Sequence, residues 1–303
     1  MIAGHPGPNS GAAPAGAFEG ASTAGDAGDR SDRTAFVLVG GGWVGATQVG
    51  MLYALLEAGI WPDFLVGSSV GAFNAAYLAG HASLEGVERL ADYWTSIRRR
   101  DLFPVELHAI IAGLAGRRNH FCDPLALRTI ILRAGLGFDL LEEAPVPTFP
   151  VAADLANGEA VALSTGDVVE ALMASAAIPG LFPPVEIAGR LLIDGSAVAD
   201  GLLGAAEALG ATTIYLLATA APSDTVTSES ALDVAARAMF LPAYRLAMAT
   251  STTLASKLDV HVLPPPAMAG HSLIDFRATP ELIERSYLEA RAWVADRHPV
   301  LAA

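Results

Sequence analysis

The 303-residue sequence contains a single cysteine, Cys122, so no intrachain disulfide can form. A lone cysteine is most often a small apolar side chain of the core. No apolar run of 18 residues or more is present, which excludes a predicted transmembrane helix. Hydrophobic residues nevertheless make up 52% of the chain, and over this length they are ample for a large core.

Basic residues are also scarce. The chain has 18 Lys and Arg against 32 Asp and Glu, which gives a net charge of −14. This balance argues against a nucleic-acid partner, because nucleic-acid binding depends on neutralising phosphates with Lys and Arg. It equally argues against electrostatic docking onto anionic lipid, so any transient membrane contact would be made by apolar groups.

Signals for metals, nucleotides and export are missing as well. There is no CxxC or HExxH spacing and no P-loop, so we expect no metal and no cofactor. No basic segment followed by an apolar one marks a secretory signal, so we expect a cytoplasmic location apart from peripheral membrane contact. Residues 1–33 are rich in Gly, Ala, Ser and Asp without periodicity, and we expect a disordered leader before one domain at 34–303.

Strands and helices alternate from Thr34 onwards, which predicts an α/β fold with a mainly parallel central sheet flanked by helices. Asn157-Gly158 between two apolar runs predicts a β-hairpin. An amphipathic pattern from Leu84 to about Arg100 predicts one helix that ends in three arginines. The segment 101–147, with a predicted helix from Pro124 to Arg133, forms a lid or a wall of a substrate pocket, or it packs as ordinary surface.

The central pattern of the chain is Gly67-Ser68-Ser69-Val70-Gly71, a G-x-S-x-G sequence. The apolar run 64–66 before it predicts a buried strand, and the small residues 72–79 after it predict a helix. Ser69 therefore falls on a tight turn from strand to helix, the context of a nucleophile elbow. The glycines allow the sharp turn, and the helix N-terminus offers N–H groups to an oxyanion. The alternative is a turn that merely connects two elements.

A second glycine-rich segment, Gly40-Gly41-Gly42-Trp43-Val44-Gly45, follows the first predicted strand. Gly40, Gly42 and Gly45 satisfy the G-x-G-x-x-G pattern of dinucleotide binding. That function expects an acidic residue at the end of the next strand, where this chain has Gly67-Ser68-Ser69. We therefore interpret the segment as a source of backbone N–H donors for an oxyanion beside Ser69, with a nucleotide site as the alternative.

Asp194 ends a predicted strand and is followed by Gly195. A carboxylate there would point into the crevice at the carboxyl edge of a doubly wound sheet. Asp-Gly is also a common turn pair, and on spacing alone the turn interpretation is preferred. Trp43, Phe73, Leu181 and Phe182 are candidates for the walls of an apolar pocket, although core packing is the preferred interpretation of each.

Four segments in register resemble the patatin-like phospholipase family: 40–45, 67–71, 174–184 and Asp194-Gly195. The resemblance implies a patatin-like catalytic domain that acts on acyl esters of lipids through a Ser–Asp dyad, without a cofactor. By this resemblance Ser69 is the nucleophile and Asp194 the general base. Gly41 and Gly42 would then supply the backbone donors of the oxyanion hole.

Two residues depart from the pattern of that family. Val44 stands where an Arg or Lys is usual, and Ser196 follows Asp194-Gly195 where Gly or Ala is usual. An unperturbed Asp, with a pKa of about 3.9, is a weak base for a hydroxyl, so the site must strengthen it by desolvation or stabilise the oxyanion strongly. Two alternatives stay open. One is a Ser–His–Asp esterase that uses His261 or His271, and the other is a non-enzymatic scaffold of the same fold.

Overall fold

One mixed β-sheet forms the centre of the computed structural model, which describes residues 32–102, 119–219, 231–266 and 276–298. Strands β1 to β8 are, in chain order, Thr34–Leu38, Phe64–Ser68, Thr148–Asp154, Ala160–Ala162, Val185–Ile187, Arg190–Asp194, Thr213–Leu217 and Asp259–Leu263. They lie in the order β5-β6-β3-β2-β1-β7-β8, and β4 pairs with β3 outside this path. The predicted α/β architecture is confirmed.

The sheet has a parallel part and an antiparallel part. Strands β3, β2, β1, β7 and β8 run parallel to their neighbours in that order, which confirms the mainly parallel prediction. At the β3 side, β4 and β6 pair antiparallel to β3, and β5 pairs antiparallel to β6. The β3–β4 pair encloses Asn157-Gly158, so the predicted hairpin is confirmed.

Helices cover both faces of the sheet. Helices α1 to α9 are Ala46–Glu57, Val70–Gly80, Leu84–Ser96, Arg99–Leu102, Pro124–Ala134, Val168–Ser175, Ala199–Ala208, Ala231–Leu254 and Thr279–Arg297. Alternate residues of β1 point to opposite faces, as strand geometry requires. Phe36 and Leu38 join the core under α1, α2, α3 and α6, whereas Ala35 and Val37 join the core under α7 and α8.

The helix predicted from Leu84 to Arg100 is shorter than expected. Helix α3 ends at Ser96, and Ile97 is extended, with ψ 135°. This break buries the Ile97 side chain, and a separate turn of helix follows at Arg99–Leu102. The Asp101 carboxylate accepts the Arg98 N–H at 2.8 Å and so fixes the start of that turn. Burial of one apolar side chain therefore outweighs continuation of the amphipathic pattern.

Two further sequence predictions fall only partly on described residues. The first described strand begins at Thr34, where the sequence predicts the domain to begin, and residues 1–31 of the predicted leader lie outside the described residues. The predicted helix from Pro124 to Arg133 is confirmed as α5, while 103–118 of the same segment are not described. Within the described part of the chain, no helix combines the length and apolar character needed to cross a membrane.

Candidate active site

Ser69 occupies the turn between β2 and α2, with φ 54° and ψ −126°. A positive φ is strained for a residue with a side chain and persists only where its surroundings hold it. Here the Ser69 N–H donates to the carbonyl oxygen of Ser175 at 3.1 Å and to its hydroxyl at 2.9 Å. The Ser175 hydroxyl in turn donates to the Val151 carbonyl at 2.6 Å. The backbone amide of Ser69 is therefore used to hold the turn.

The flanking glycines allow the backbone to pack tightly around this turn. A Cβ on Gly67 would lie 2.5 Å from the Gly71 carbonyl oxygen, and a Cβ on Gly71 would overlap the Leu38 carbonyl oxygen. Both glycines are required by close approach of backbone to backbone. The G-x-S-x-G pattern thus places the start of α2 directly against β1 and β2, which leaves Ser69 at the carboxyl edge of the sheet.

Asp194 reaches the same edge by a route that the sequence does not reveal. It ends β6, which runs antiparallel to β3, and it pairs with Ala152. The last residue of β2, Ser68, pairs with the neighbouring Val151. Strand β3 continues past the end of β2, and β6 returns beside it until it is level with that end. Asp194 therefore lies level with the carboxyl end of β2, although its own strand runs antiparallel to β3.

The Asp194 carboxyl group is wholly buried. Its Oδ1 accepts the Ser196 N–H at 2.8 Å, whereas Oδ2 has no partner in hydrogen-bonding geometry among the described residues. Burial raises the pKa of Asp194 above its ordinary value, and the nearby Ser69 hydroxyl and the Ser196 N–H and hydroxyl oppose that rise. Desolvation makes the carboxylate a stronger base. The Ser69 hydroxyl and the carboxylate are not in hydrogen-bonding geometry here, and such contacts can shorten when a substrate binds.

The glycine loop, residues 39–45, crosses directly over the Ser69 turn. The Gly40 N–H donates to the Ser68 hydroxyl at 3.0 Å, and the Thr219 hydroxyl donates to the Gly40 carbonyl at 3.1 Å. A Cβ on Gly40 would overlap the Ser196 hydroxyl oxygen and lie 3.0 Å from Ser69 Cβ. Glycine is therefore required at position 40 by the closeness of both serines.

Gly41 and Gly42 were predicted to supply backbone donors, and only Gly42 of the two lines the cavity. Gly42 has φ 62°, begins a short 3₁₀ helix and lines the same cavity as Ser69. Within the described ranges, neither N–H meets an acceptor in hydrogen-bonding geometry. A Cβ on Gly41 would overlap the Thr219 side chain, so this position also needs glycine. The role of these two N–H groups as oxyanion donors stays a prediction.

The remaining motif residues are structural. Val44 is fully buried in the core, so the position where the family pattern has a cation is apolar here. A Cβ on Gly45 would overlap the Val70 side chain, and a Cβ on Gly195 would overlap the Val151 carbonyl oxygen. Ser196 follows in a short 3₁₀ helix, and its buried hydroxyl has no hydrogen-bond partner in the described part of the chain.

An apolar cavity opens beside Ser69. The empty space in the cavity and in the solvent in front of it comes to about 700 Å³ together. Trp43, Phe73 and Phe182, three of the four predicted wall residues, line it, whereas Leu181 does not. Each of the three is also buried, so core packing and pocket wall coincide. The other side chains around the cavity are apolar, and the indole N–H of Trp94 is the one polar group among them: Val70, Trp94, Ile97, Leu127, Ile130, Ile131, Leu172, Ala176, Ile178 and Phe276.

Sequence reasoning missed most of this wall. Leu127, Ile130 and Ile131 lie on one side of α5, with the i, i+3, i+4 spacing of a buried helix face. That spacing signals burial, but it does not tell a cavity wall from a solid core. Of the alternatives for segment 101–147, α5 forms part of the wall of this cavity.

His261 lies far from Ser69. It is on β8, three strands away from β2, which corresponds to about 14 Å at the usual strand spacing. Its Nε2 is 2.9 Å from an Asp259 carboxylate oxygen, and its ring stacks on Tyr215 at 4.7 Å. His271 lies outside the described residues. No histidine of the described ranges lines the cavity, so the structure brings Ser69 together with Asp194 and not with His261.

Parts of the chain are similar in sequence to known proteins. A sequence model described as patatin-like phospholipase matches residues 36–206, more than half of the chain. An uncharacterized NTE family protein of Mycobacterium bovis is 33% identical over 169 residues, which are 55% of this chain and 44% of that protein. The lysophospholipase nte1 of Aspergillus terreus is 29% identical over 189 residues, 59% of this chain and 11% of that protein. Among solved structures, VipD from Legionella pneumophila is 14% identical with a TM-score of 0.44, covering 90% of this chain and 69% of its own.

The chain belongs to the patatin-like phospholipase family. Ser69, Asp194 and the glycine loop all lie within the matched region. The chain spans less than half the length of the mycobacterial relative that it matches. The family match therefore covers the part of the chain that holds the candidate site.

Proposed function

We propose that this protein hydrolyses acyl esters of lipids through an acyl-enzyme on Ser69. One observation carries the proposal: a serine on a strained turn lines an apolar cavity, with a buried carboxylate near its hydroxyl and the glycine loop packed against it. A serine hydroxyl is a poor nucleophile without a base. An apolar cavity suits the hydrocarbon part of an acyl group.

In the first half-reaction the Ser69 oxygen attacks the ester carbonyl carbon, and Asp194 takes the hydroxyl proton. The carbonyl oxygen becomes an oxyanion that accepts hydrogen bonds from the Gly41 and Gly42 N–H groups. Donors aimed at a developing charge in a water-poor site are among the largest contributions to such catalysis. As the carbon–oxygen bond of the ester breaks, the alcohol leaves with the proton held by Asp194.

In the second half-reaction water attacks the acyl-enzyme. Asp194 takes a proton from that water, and the same two N–H groups hold the second oxyanion. The carbon–oxygen bond to Ser69 then breaks, the Ser69 oxygen recovers the proton from Asp194, and the fatty acid leaves. Because Asp194 is buried away from charged side chains of the described residues, it can change protonation twice per turnover without a competing ion pair.

The cavity also limits the substrate. It is lined by apolar side chains and glycine around Ser69, and no Lys or Arg of the described residues belongs to its wall. With Val44 buried in place of a cation, the site offers little to an anionic group near the ester. We therefore favour lipids with neutral or zwitterionic groups beside the scissile ester, met by transient apolar contact with a lipid surface. The cytoplasmic location stays a prediction from the sequence.

The direct test is hydrolysis of p-nitrophenyl butyrate and dodecanoate by the parent, Ser69→Ala and Asp194→Asn, followed by neutral lysolipid and diacyl lipids. Asp154→Asn is the matched control, because Asp154 is a buried aspartate on the adjacent strand that accepts the Ala156 N–H at 2.9 Å. We expect activity in the parent and the control and none in the two site variants. Activity that survives Ser69→Ala would refute the proposal, and a folded parent inactive on every ester would favour the scaffold alternative.

A further inference from the structure

Three buried side chains form a continuous line of hydrogen bonds from the cavity wall to the glycine loop. The Trp94 indole N–H donates to the Asn74 side-chain oxygen at 2.9 Å. The Asn74 amide nitrogen donates to the Gln48 side-chain oxygen at 2.8 Å and to the Gly45 carbonyl at 2.9 Å. The Gln48 amide nitrogen donates to the Val39 carbonyl at 2.8 Å and to the carbonyl of Leu217, the last residue of β7, at 3.0 Å.

The direction of this line is fixed by chemistry. An indole N–H can only donate, so the atom of Asn74 that faces Trp94 must be its oxygen. Backbone carbonyls can only accept, so the nitrogens of Asn74 and Gln48 must face Gly45 and Val39. Every side-chain donor and acceptor of the two amides then has a partner. A fully satisfied buried network specifies one arrangement, because any rotation leaves unpaired polar atoms.

The two side-chain amides form hydrogen bonds to the two ends of the glycine loop. Gln48 holds the carbonyl of Val39 and Asn74 holds the carbonyl of Gly45, the first and last residues of the loop. Both amide side chains are fully buried, on α1 and α2. Between these two anchors lie Gly41 and Gly42, whose N–H groups have no partner of their own in the described residues.

We propose that Trp94, Asn74 and Gln48 are positioning residues that hold the glycine loop in the shape that binds an oxyanion. The inference rests on the proposed function, since it assigns a task to that loop. None of the three touches the reacting atoms as a donor or base. Their effect is to keep Gly41 and Gly42 aimed at one point, and donors that are fixed before the reaction need no reorganisation when charge develops.

Trp94 is the member of the line best suited to a test. Asn74 and Gln48 each have three partners, so their loss would also disturb the fold. Trp94 contributes one bond at the end of the line, and its ring lines the cavity in an edge-to-face contact with Phe73 at 6.0 Å. Trp94→Phe keeps an aromatic ring in the wall and removes only the N–H donor and part of the indole.

Trp43→Phe is the matched comparison. Trp43 also lines the cavity, but its indole nitrogen has no hydrogen-bond partner in the described ranges. The two substitutions remove the same atoms from the same cavity, and only one of them breaks the line. We expect Trp94→Phe to lower kcat about tenfold on both the butyrate and the dodecanoate ester, with KM within about twofold, because small misplacement of catalytic groups is costly. Trp43→Phe should act mainly on KM for the dodecanoate ester.

Ser69→Ala is assayed alongside, and circular dichroism checks that each variant is folded at the assay temperature. A parental kcat in folded Trp94→Phe, while Ser69→Ala is inactive, would overturn this inference and leave the proposed function intact. Activity of Ser69→Ala would instead overturn the proposed function.

Discussion

A Cβ atom on Gly40 would overlap the hydroxyl oxygen of Ser196, because the glycine loop crosses the short helix that follows Asp194 without an intervening layer. The same Cβ would lie 3.0 Å from Ser69 Cβ. The three segments that form the site therefore contact one another at one point. An additional side-chain atom at that point would displace at least one of them, and we expect such a displacement to lower activity.

Gly40→Ala tests this packing. We expect the added methyl to displace the glycine loop and to lower kcat/KM on the order of 100-fold, as misplacement of catalytic groups does. Steady-state kinetics on p-nitrophenyl butyrate measures the loss. Gly204→Ala is the control, because a Cβ at Gly204, within α7, meets no atom within 4 Å. The control should keep its activity and gain about 0.5–1 kcal/mol of stability from helix propensity. Parental activity of Gly40→Ala would contradict the packing argument.

Ser196→Ala should move the acid limb of the pH–rate profile. The Ser196 hydroxyl opposes the effect of burial on Asp194, so its removal should raise the pKa of that carboxyl group further. The base must be ionised to act, and the acid limb of kcat/KM should therefore shift to higher pH, with less change at the alkaline plateau. Alanine is a residue that the family pattern has at this position, so the variant is expected to fold. An unshifted limb would exclude an influence of the Ser196 hydroxyl on the base.

Asp194→Asn should stabilise the protein at neutral pH while it removes activity. Burial raises the pKa of Asp194 in the folded state above its unfolded value. The folded state therefore binds the proton more tightly, and stability is lost as pH rises from the unfolded pKa through the raised folded pKa. Asparagine cannot ionise and avoids that loss. Thermal melts of both proteins at pH 4 and pH 7 should show a larger loss of stability from pH 4 to pH 7 in the parent than in Asp194→Asn. A larger loss in Asp194→Asn would contradict this account.

Leu125 and Leu132 lie on the exposed side of α5, 64% and 58% exposed, while other residues of this helix line the cavity. If lipid surfaces are met by apolar contact, the double variant Leu125→Ser/Leu132→Ser should bind phosphatidylcholine vesicles roughly 30-fold more weakly, since each leucine contributes on the order of 1 kcal/mol. Leu288→Ser, at a 54% exposed leucine of α9, is the control. With a net charge of −14, the parent should gain nothing from anionic lipid in a vesicle co-sedimentation assay.

The sequence predicts those features that depend on neighbours along the chain. The turn at Ser69 follows from an apolar run, two glycines and a run of small residues, all within 16 positions, and the structure has it there. The hairpin at Asn157-Gly158 has the same local origin. Such features need no knowledge of the sheet order.

Features that depend on distant segments could not be predicted in this way. The position of Asp194 requires that β6 run antiparallel beside an overlong β3, which no spacing in the sequence encodes. The line from Trp94 to Val39 joins three helices, and a buried Gln48 or Asn74 in a helix pattern looks like an exposed polar residue until its partners are known. The early end of α3 likewise depends on the cavity that receives Ile97.

The site consists of the glycine loop after β1, Ser69 after β2 and Asp194 at the end of β6. In the described sheet, β6 pairs with β3, β3 with β2 and β2 with β1. Separation of any neighbouring pair of these strands would disperse the components. Heat inactivation should therefore coincide with cooperative melting of the sheet, so that residual esterase activity reports on the integrity of the whole β6-to-β1 half of the sheet.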